Sequence, residues 1–303
     1  VISLQGVAGL VRRLRGLQAD DYGSQFAETL LQIAGAVEDL RVRKAWPRFV
    51  YHTVDEPGGH PAVRQEALET LRILHDAGYR TFTTADIDFT NDALDPYLDV
   101  RCYGVGFCAG KPEQAQARKD ECEAAGDDYW WYGIGCYTGQ EGSVAVNRHL
   151  GGFLFHNTGA QACWAWTFQR PNGDPFNDFD GTGAEQKDAC ITYPGRDGAS
   201  ADIPTLQWEG TREGVDDVRY LDLLSRALSE LDASESPGAA AVARATRAEL
   251  SRILKDVPWL EDGQLPSDSA QVLRWRICEL LFDCAQALGG ALARPSSPAG
   301  VRQ

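Results

Sequence analysis

A chain of 303 residues with 43% hydrophobic content can fill the core of one large domain or two ordinary ones. Its formal net charge of -15 and pI near 4.7 exclude a phosphate-tracking surface, so nucleic acids and anionic membranes are not expected as partners. No apolar run approaches the roughly 18 residues that a membrane span requires. With no visible leader at Val1 and no Met anywhere, the chain reads as processed or excised from something longer, which leaves its compartment open.

In chain order, VISLQGVAG is a candidate short strand, followed by a basic stretch, VRRLRG, that no pattern places. Phe26, Leu30, Ile33, Val37 and Leu40 recur at three and four residues, which predicts an amphipathic helix with Ser24 as its N-cap. Residues 48–54 alternate and are rich in Phe, Val, Tyr and Thr, which predicts a buried strand ending at Asp55, Glu56 and Pro57. A second helix is expected over 61–77, with Val63, Ala67, Leu71 and Leu74 on one face and Gly78 as its stop. Strands follow at 79–86 and 99–106, then a polar helix over 112–125 and an aromatic strand with a Gly-rich loop over 127–139. A single helix is expected over 143–158 and a strand over 161–169. Five strands are clear and one is weaker, and their alternation with single helices implies a parallel sheet. Residues 170–204 read as one long functional loop. Three helices close the chain at 206–233, 239–256 and 268–289, before a tail expected to be disordered.

In a parallel barrel the ligand lies at the carboxyl ends of the strands. Asp55, Glu56, Thr84, Asp86, Tyr103, Trp130, Trp131, Tyr132, Tyr137, Trp164, Trp166 and Gln169 all fall there. Aromatic faces cover the CH face of a sugar while acids and amides read its hydroxyls, so the mixture suits a carbohydrate pocket. Two readings stand side by side: DEPGG as a solvated capping turn or as a catalytic pair, and each Trp as core or as pocket wall. His52 is equally a wall residue or a satisfied core histidine, and Arg148 is a sugar or carboxylate clamp or a solvated helix residue. His60, His75, His149 and His156 read as structural. The eight cysteines contain no CxxC pair, so no metal site is expected; most read as core thiols, with one or two disulfides left open.

Five segments, in order, resemble the catalytic domain of family 123 glycoside hydrolases (domain of unknown function 4091). They are YHTVDEPG at 51–58, DYWWYGIGCYTG at 128–139, NRHLGGFLFHNTGAQACWAWTF at 147–168, ITYPGRDG at 191–198 and IPTLQWEGTREGVDDVRYLDLL at 203–224. The resemblance implies an α/β fold, a (β/α)8 TIM-type barrel incomplete at its N-terminus, with the early strands and a preceding β-sandwich missing. Residues 1–233 would be the later barrel strands, 234–290 a C-terminal helical extension and 291–303 the tail. It also implies β-N-acetylgalactosaminidase-like cleavage of terminal 2-acetamido sugars by a retaining, substrate-assisted route. Glu56 would be the general acid and Asp55 the residue that orients the acetamido group. The substrate would be a glycan or glycoconjugate outside the cytoplasm, with no cofactor. Two alternatives remain: a non-catalytic carbohydrate-binding barrel, and a hydrolase of sugars without an acetamido group. Glu209, Arg212 and Glu213 in LQWEGTREG are expected to tie the last helix to the barrel.

Overall fold

The computed structural model describes residues 1–290 apart from 59, 86–91, 135–143, 166–167, 171–172, 178–188, 198–201, 237 and 263–267. Asp86, Cys136, Tyr137, Trp166 and the tail at 291–303 therefore lie outside the described residues. The chain divides into two compact units. The first comprises Val1–Cys108, Glu113–Tyr132 and Ala160–Ala162, and the second Ala109–Pro112, Gly133–Gly159 and Cys163–Gln303.

In the first unit, strands and helices alternate: β1 (Ile2–Ser3), α1 (Val7–Arg15), α2 (Ser24–Arg43), β2 (Tyr51–His52), α3 (Pro61–Asp76), β3 (Thr81–Ala85), β4 (Val100–Gly104), α4 (Pro112–Ala125) and β5 (Asp128–Ile134). Sheet order follows chain order, with β6 (Ala162–Ala165) sixth, and β1 to β5 pair in parallel. Six strands in sequence order, linked through α-helices at every step but β3 to β4, make an arc of a TIM-like barrel. VISLQGVAG does supply a strand: Ile2 N–H donates to the Val50 carbonyl at 2.8 Å and Leu4 N–H to that of His52 at 2.6 Å.

Successive strand residues face opposite ways, and the two faces differ in chemistry. Tyr51, Arg101, Tyr103, Tyr129 and Trp131 share the helix-covered face. There Arg101, 3% exposed, pairs with Asp127 at 2.6 Å, Glu121 at 3.0 Å and also Asp95. His52, Phe82, Thr84, Cys102, Trp130 and Tyr132 share the other face. The basic stretch VRRLRG also finds its place, as part of α1. Arg12 bonds Glu66 of α3 at 2.9 Å and the Tyr22 hydroxyl at 2.6 Å, and Arg15 bonds Thr29 of α2 at 2.7 Å, strapping α1 over the cluster of Leu4, Val11, Phe26, Leu30 and Leu74.

Two local expectations are corrected here. Ser24 is the first residue of α2 rather than its cap, and Gly23 precedes it with no side-chain bond. Val63 is 39% exposed because the buried stripe of α3 begins one turn later, at Ala67, Thr70 and Leu71.

The second unit contains α5 (Val144–Gly151), α6 (Phe153–Thr158), α7 (Leu206–Ala233), α8 (Ala239–Lys255) and α9 (Ser269–Ala287). The expected single helix over 143–158 is broken at Gly152, whose backbone (φ -121, ψ -113) leaves the helical region. Packing supplies the cause. A Cβ on Gly152 would lie 3.1 Å from Gly214 Cα, one on Gly214 2.5 Å from the Arg148 carbonyl oxygen, and one on Gly210 2.5 Å from that of Val144. Only bare backbone lets α5 and α7 approach this closely. The expected loop over 170–204 is not structureless either: β7 (Gln169–Arg170) pairs antiparallel with β8 (Ala189–Cys190), and β9 (Thr192–Tyr193) with β10 (Ile203–Pro204). The seven described cysteines are free thiols. No helix among the described residues is long and apolar enough to cross a membrane.

Within LQWEGTREG, Glu213 fastens the last helix, α9, to α7. Glu213 accepts from Arg274 of α9 at 2.8 Å, and that guanidinium holds its carboxyl below the usual range. Arg212 is half-exposed and stays within its own helix, on Glu209 and Glu213. Asp217, fully buried, receives Arg148 of α5 in a bidentate pair at 2.7 and 2.9 Å and Arg274 as well. Replacing Gly214 by Ala should therefore push two backbones apart and lower unfolding stability by about 1–3 kcal/mol, read as a reduced urea midpoint. Gly9→Ala, on an open face of α1 where a Cβ meets nothing within 4 Å, should instead raise it by roughly 0.5–1 kcal/mol.

Two buried histidines set a pH dependence. Burial lowers His52 and His149 below the ordinary value of 6.5; at His52 the nearby Asp55 opposes this, and at His149 the Pro258 carbonyl does. The His149 Nε2–H donates to Pro258 at 2.7 Å while its buried Nδ1 has no partner among the described residues, so a second proton there would find no acceptor among them. The unfolded chain takes up these protons near pH 6.5 while the fold still refuses them. Their contribution is thus complete above that value and is lost as pH falls below it toward the depressed folded values. Melting temperature should fall between pH 7.5 and 5.5, and a flat profile over that window would contradict the assignment.

Candidate active site

Pro57 cannot donate to a sheet ladder, and β2 ends in a turn that carries Asp55 and Glu56. Glu56 has φ 43, one of two non-glycine residues with positive φ among those described. An L-residue held there costs about 1–3 kcal/mol and persists only where its surroundings fix it.

The fixing comes from β3. Parallel register sets His52 beside Phe82, so Thr83 and Thr84 run alongside the chain as it leaves β2. Thr83 donates its hydroxyl to the Val54 carbonyl at 2.7 Å. Thr84, 2% exposed, accepts from the Glu56 N–H at 2.9 Å and donates to Asp55 Oδ1 at 2.6 Å. One hydroxyl therefore fastens the backbone of one acid and the carboxylate of the other. A bond to a carboxylate contributes about 1.5–3 kcal/mol and a neutral one about 1, which together offset the strained φ.

Tyr132 of β5 donates its hydroxyl to Glu56 Oε1. Burial, then the bond to Glu56 and the charges of Glu56 and Asp55, push its pKa well above the usual tyrosine value. It therefore stays a proton donor across any working pH. Asp55 is half-buried and Glu56 exposed. Asp55 Oδ2 and Glu56 Oε2 take no other partner among the described residues. The two carboxylates thus keep one free oxygen each, near a phenol that feels both charges.

The flanking aromatics divide by strand face. His52, 5% exposed, stacks on Phe82 with centroids 4.7 Å apart, and Phe82 meets Trp130 at 6.0 Å. The buried His52 Nε2 has no hydrogen-bond partner among the described residues. These residues lie on the face that also carries Thr84 and Tyr132. Tyr103 and Trp131, both fully buried, lie on the opposite, helix-covered face. Tyr103 sets its hydroxyl 3.9 Å from Cys122 Sγ of α4 and its ring under Arg118, so it packs as core and is not a pocket wall. Arg148 is not solvated; the carboxylate that it clamps is the protein's own Asp217. Trp164 lines a hollow within the second unit. Phe82 was not among the sequence candidates, although its spacing of two from Thr84 places it on the same strand face. Among the described residues no group of three or more His, Cys, Asp or Glu is placed to hold a metal ion.

A strand-end acid pair with a free oxygen on each carboxylate and a phenolic donor is equipped for proton transfer to a leaving oxygen. No curated protein matches this chain. Its fold is similar to that of a family 123 glycoside hydrolase from Clostridium perfringens, studied for glycolipid glycan hydrolysis, at TM-score 0.52 and 11% identity over 88% of this chain. The match spans 46% of that protein's length. The profile "Glycoside hydrolase 123, catalytic domain" matches residues 12–224, which include Asp55, Glu56, Thr84, Tyr132 and the Gly210–Gly214 pair, and the chain belongs to that glycoside hydrolase family.

Proposed function

We propose that this chain carries the acid pair of a retaining, substrate-assisted glycosidase acting on terminal 2-acetamido sugars, β-N-acetylgalactosaminides in the first instance. The observation that carries this reading is the single turn in which Thr84 fastens both Asp55 and Glu56. An acid and a carboxylate nucleophile of an ordinary retaining enzyme lie about 5 Å apart on opposite sides of the scissile bond. Sequence neighbours bound to one hydroxyl suit a different division: one acid, and one helper for a nucleophile that belongs to the substrate.

In this scheme Glu56 Oε2 gives its proton to the glycosidic oxygen as the bond to the anomeric carbon breaks, while Tyr132 holds Oε1. The acetamido carbonyl oxygen attacks that carbon from the other side. Asp55 Oδ2 accepts the acetamido N–H and stabilises the positive charge that develops on the ring so formed. Glu56, now a carboxylate, takes a proton from water as the water oxygen attacks the anomeric carbon. The acetamido group is restored, configuration is retained and Glu56 is protonated again. His52, Phe82 and Trp130 would face the sugar as a wall. We further propose that the six strands belong to a (β/α)8 barrel and that a glycan substrate is met outside the cytoplasm.

Glu56→Gln should lower turnover of an aryl N-acetyl-β-galactosaminide by roughly 10²–10⁴-fold with the melting curve retained. Tyr132→Phe removes a hydrogen bond to a charged group and should cost roughly 10- to 150-fold in kcat. Asp55→Asn should be as damaging as the Glu56 change on the 2-acetamido substrate. Equal hydrolysis of the unsubstituted galactoside by the unaltered protein would overturn the role given to Asp55, and binding without any turnover would leave a carbohydrate-binding barrel.

A further inference from the structure

We infer that His52 selects the substrate by one hydrogen bond: its Nε2 accepts from a single hydroxyl of the sugar that Asp55 and Glu56 process, an inference that rests on the glycan-hydrolase reading above. The observation behind it is an unpaired lone pair. His52 is 5% exposed, and its buried Nε2 has no hydrogen-bond partner among the described residues. The other ring nitrogen is committed. The imidazole bonds the backbone of Val54, two residues onward, and with Nε2 unpartnered that bond belongs to Nδ1. It favours the protonated ring, as a bond to a carbonyl does, so Nδ1 carries the proton and Nε2 presents the lone pair. Thr83 donates to the same carbonyl at 2.7 Å, which fixes the acceptor that sets this tautomer.

Nothing in the fold uses that lone pair. A buried acceptor without a donor is destabilising, whereas a phenyl ring would fill the same space without that penalty. The surroundings of the ring indicate what completes it. His52 shares its sheet face with Thr84, which holds Asp55 and Glu56, and with Tyr132, which donates to Glu56. Asp55 follows three residues later in the chain, and its charge acts on the imidazole. Phe82 stacks on the ring with centroids 4.7 Å apart, and Trp130 lies beyond it at 6.0 Å from Phe82. None of these aromatic neighbours donates to Nε2. Burial keeps the imidazole neutral, so the acceptor is present at ordinary pH. A neutral acceptor beside aromatic rings suits an uncharged O–H donor, and a sugar brought to Asp55 by its acetamido group offers hydroxyls at carbons 3, 4 and 6. A site built to bond one of them rejects the analogue that lacks it.

The test measures kcat/KM on an aryl N-acetyl-β-galactosaminide and its 3-, 4- and 6-deoxy forms, for the unaltered protein, His52→Phe and His52→Gln. Removing one of the three hydroxyls should cost the unaltered protein about tenfold more than it costs His52→Phe, while removing either of the others costs both proteins alike. His52→Gln, whose amide oxygen reaches the place of Nε2, should keep most of the discrimination. His52→Leu serves as a second apolar variant where the Phe variant fails to fold. Penalties that match between the unaltered protein and the apolar variants at all three positions would overturn the inference and leave Nε2 to a buried water. If the unaltered protein turns over none of the four substrates, the hydrolase reading fails by itself, and titration calorimetry with N-acetylgalactosamine and its deoxy forms then decides. The same pattern in Kd upholds the hydrogen bond, and absent binding or absent discrimination overturns it.

Discussion

The Thr84 hydroxyl is the point on which the candidate chemistry hangs. Without it, Glu56 at φ 43 would relax toward the ordinary helical or extended regions and carry its carboxylate off the turn. The hydroxyl acts because it is buried: at 2% exposure it has no water to exchange with, so its donor and acceptor functions are both committed to the turn. Its position depends in turn on the β2–β3 register, and a slip of one residue would replace it with Thr83 on the wrong face or with Ala85, which has no hydroxyl. The α1–α2–α3 layer, with Arg12 and Arg15 strapped across it, lies behind the strands that fix that register.

The opposite faces of the sheet solve different problems. On the helix side, a guanidinium that is 3% exposed can be tolerated only because three carboxylates surround it. Such a cluster contributes less to net stability than its bond count suggests, since desolvation consumes most of the attraction, but removing any one partner would strand a buried charge. On the other side, the charged groups sit at the strand ends where water reaches them, and the row from His52 through Phe82 to Trp130 carries no net charge at neutral pH, because burial keeps His52 neutral. A wall of that kind leaves the field near the acid pair to Tyr132 and to the carboxylates themselves.

What the sequence disclosed follows from the range of each interaction. The acid pair at a strand end, six strands and the closing helices rest on local alternation, proline and period, and all are visible within a window of about ten residues. The assignment of faces could have gone further. Trp130 and Tyr132 are two apart and so are Trp131 and Tyr129, and once Tyr132 is placed by Glu56 the fully buried Trp131 must point away from it. Arg148 was not legible at all, because Asp217 lies 69 residues onward and nothing local marks it as a partner. Nor was the break at Gly152, which answers to Gly214 on another helix. The two-residue ladders of β7 to β10 are too short to leave a period in the sequence.

The two most distinctive segments of the chain therefore do different kinds of work. YHTVDEPG is conformationally expensive and chemically exposed: a strained acid, a proline stop and a carboxylate bound by a single hydroxyl. The segment from Thr205 to Asp217 is dense with packing, since glycines that admit a helix backbone at 2.5 Å from a missing Cβ leave no latitude for substitution. Rigidity there has a consequence for the ring beside it. Trp208 stands on the first turn of α7, where the Thr205 cap holds its backbone and the Gly210 contact follows two residues later, so its exposed side chain is carried on fixed backbone.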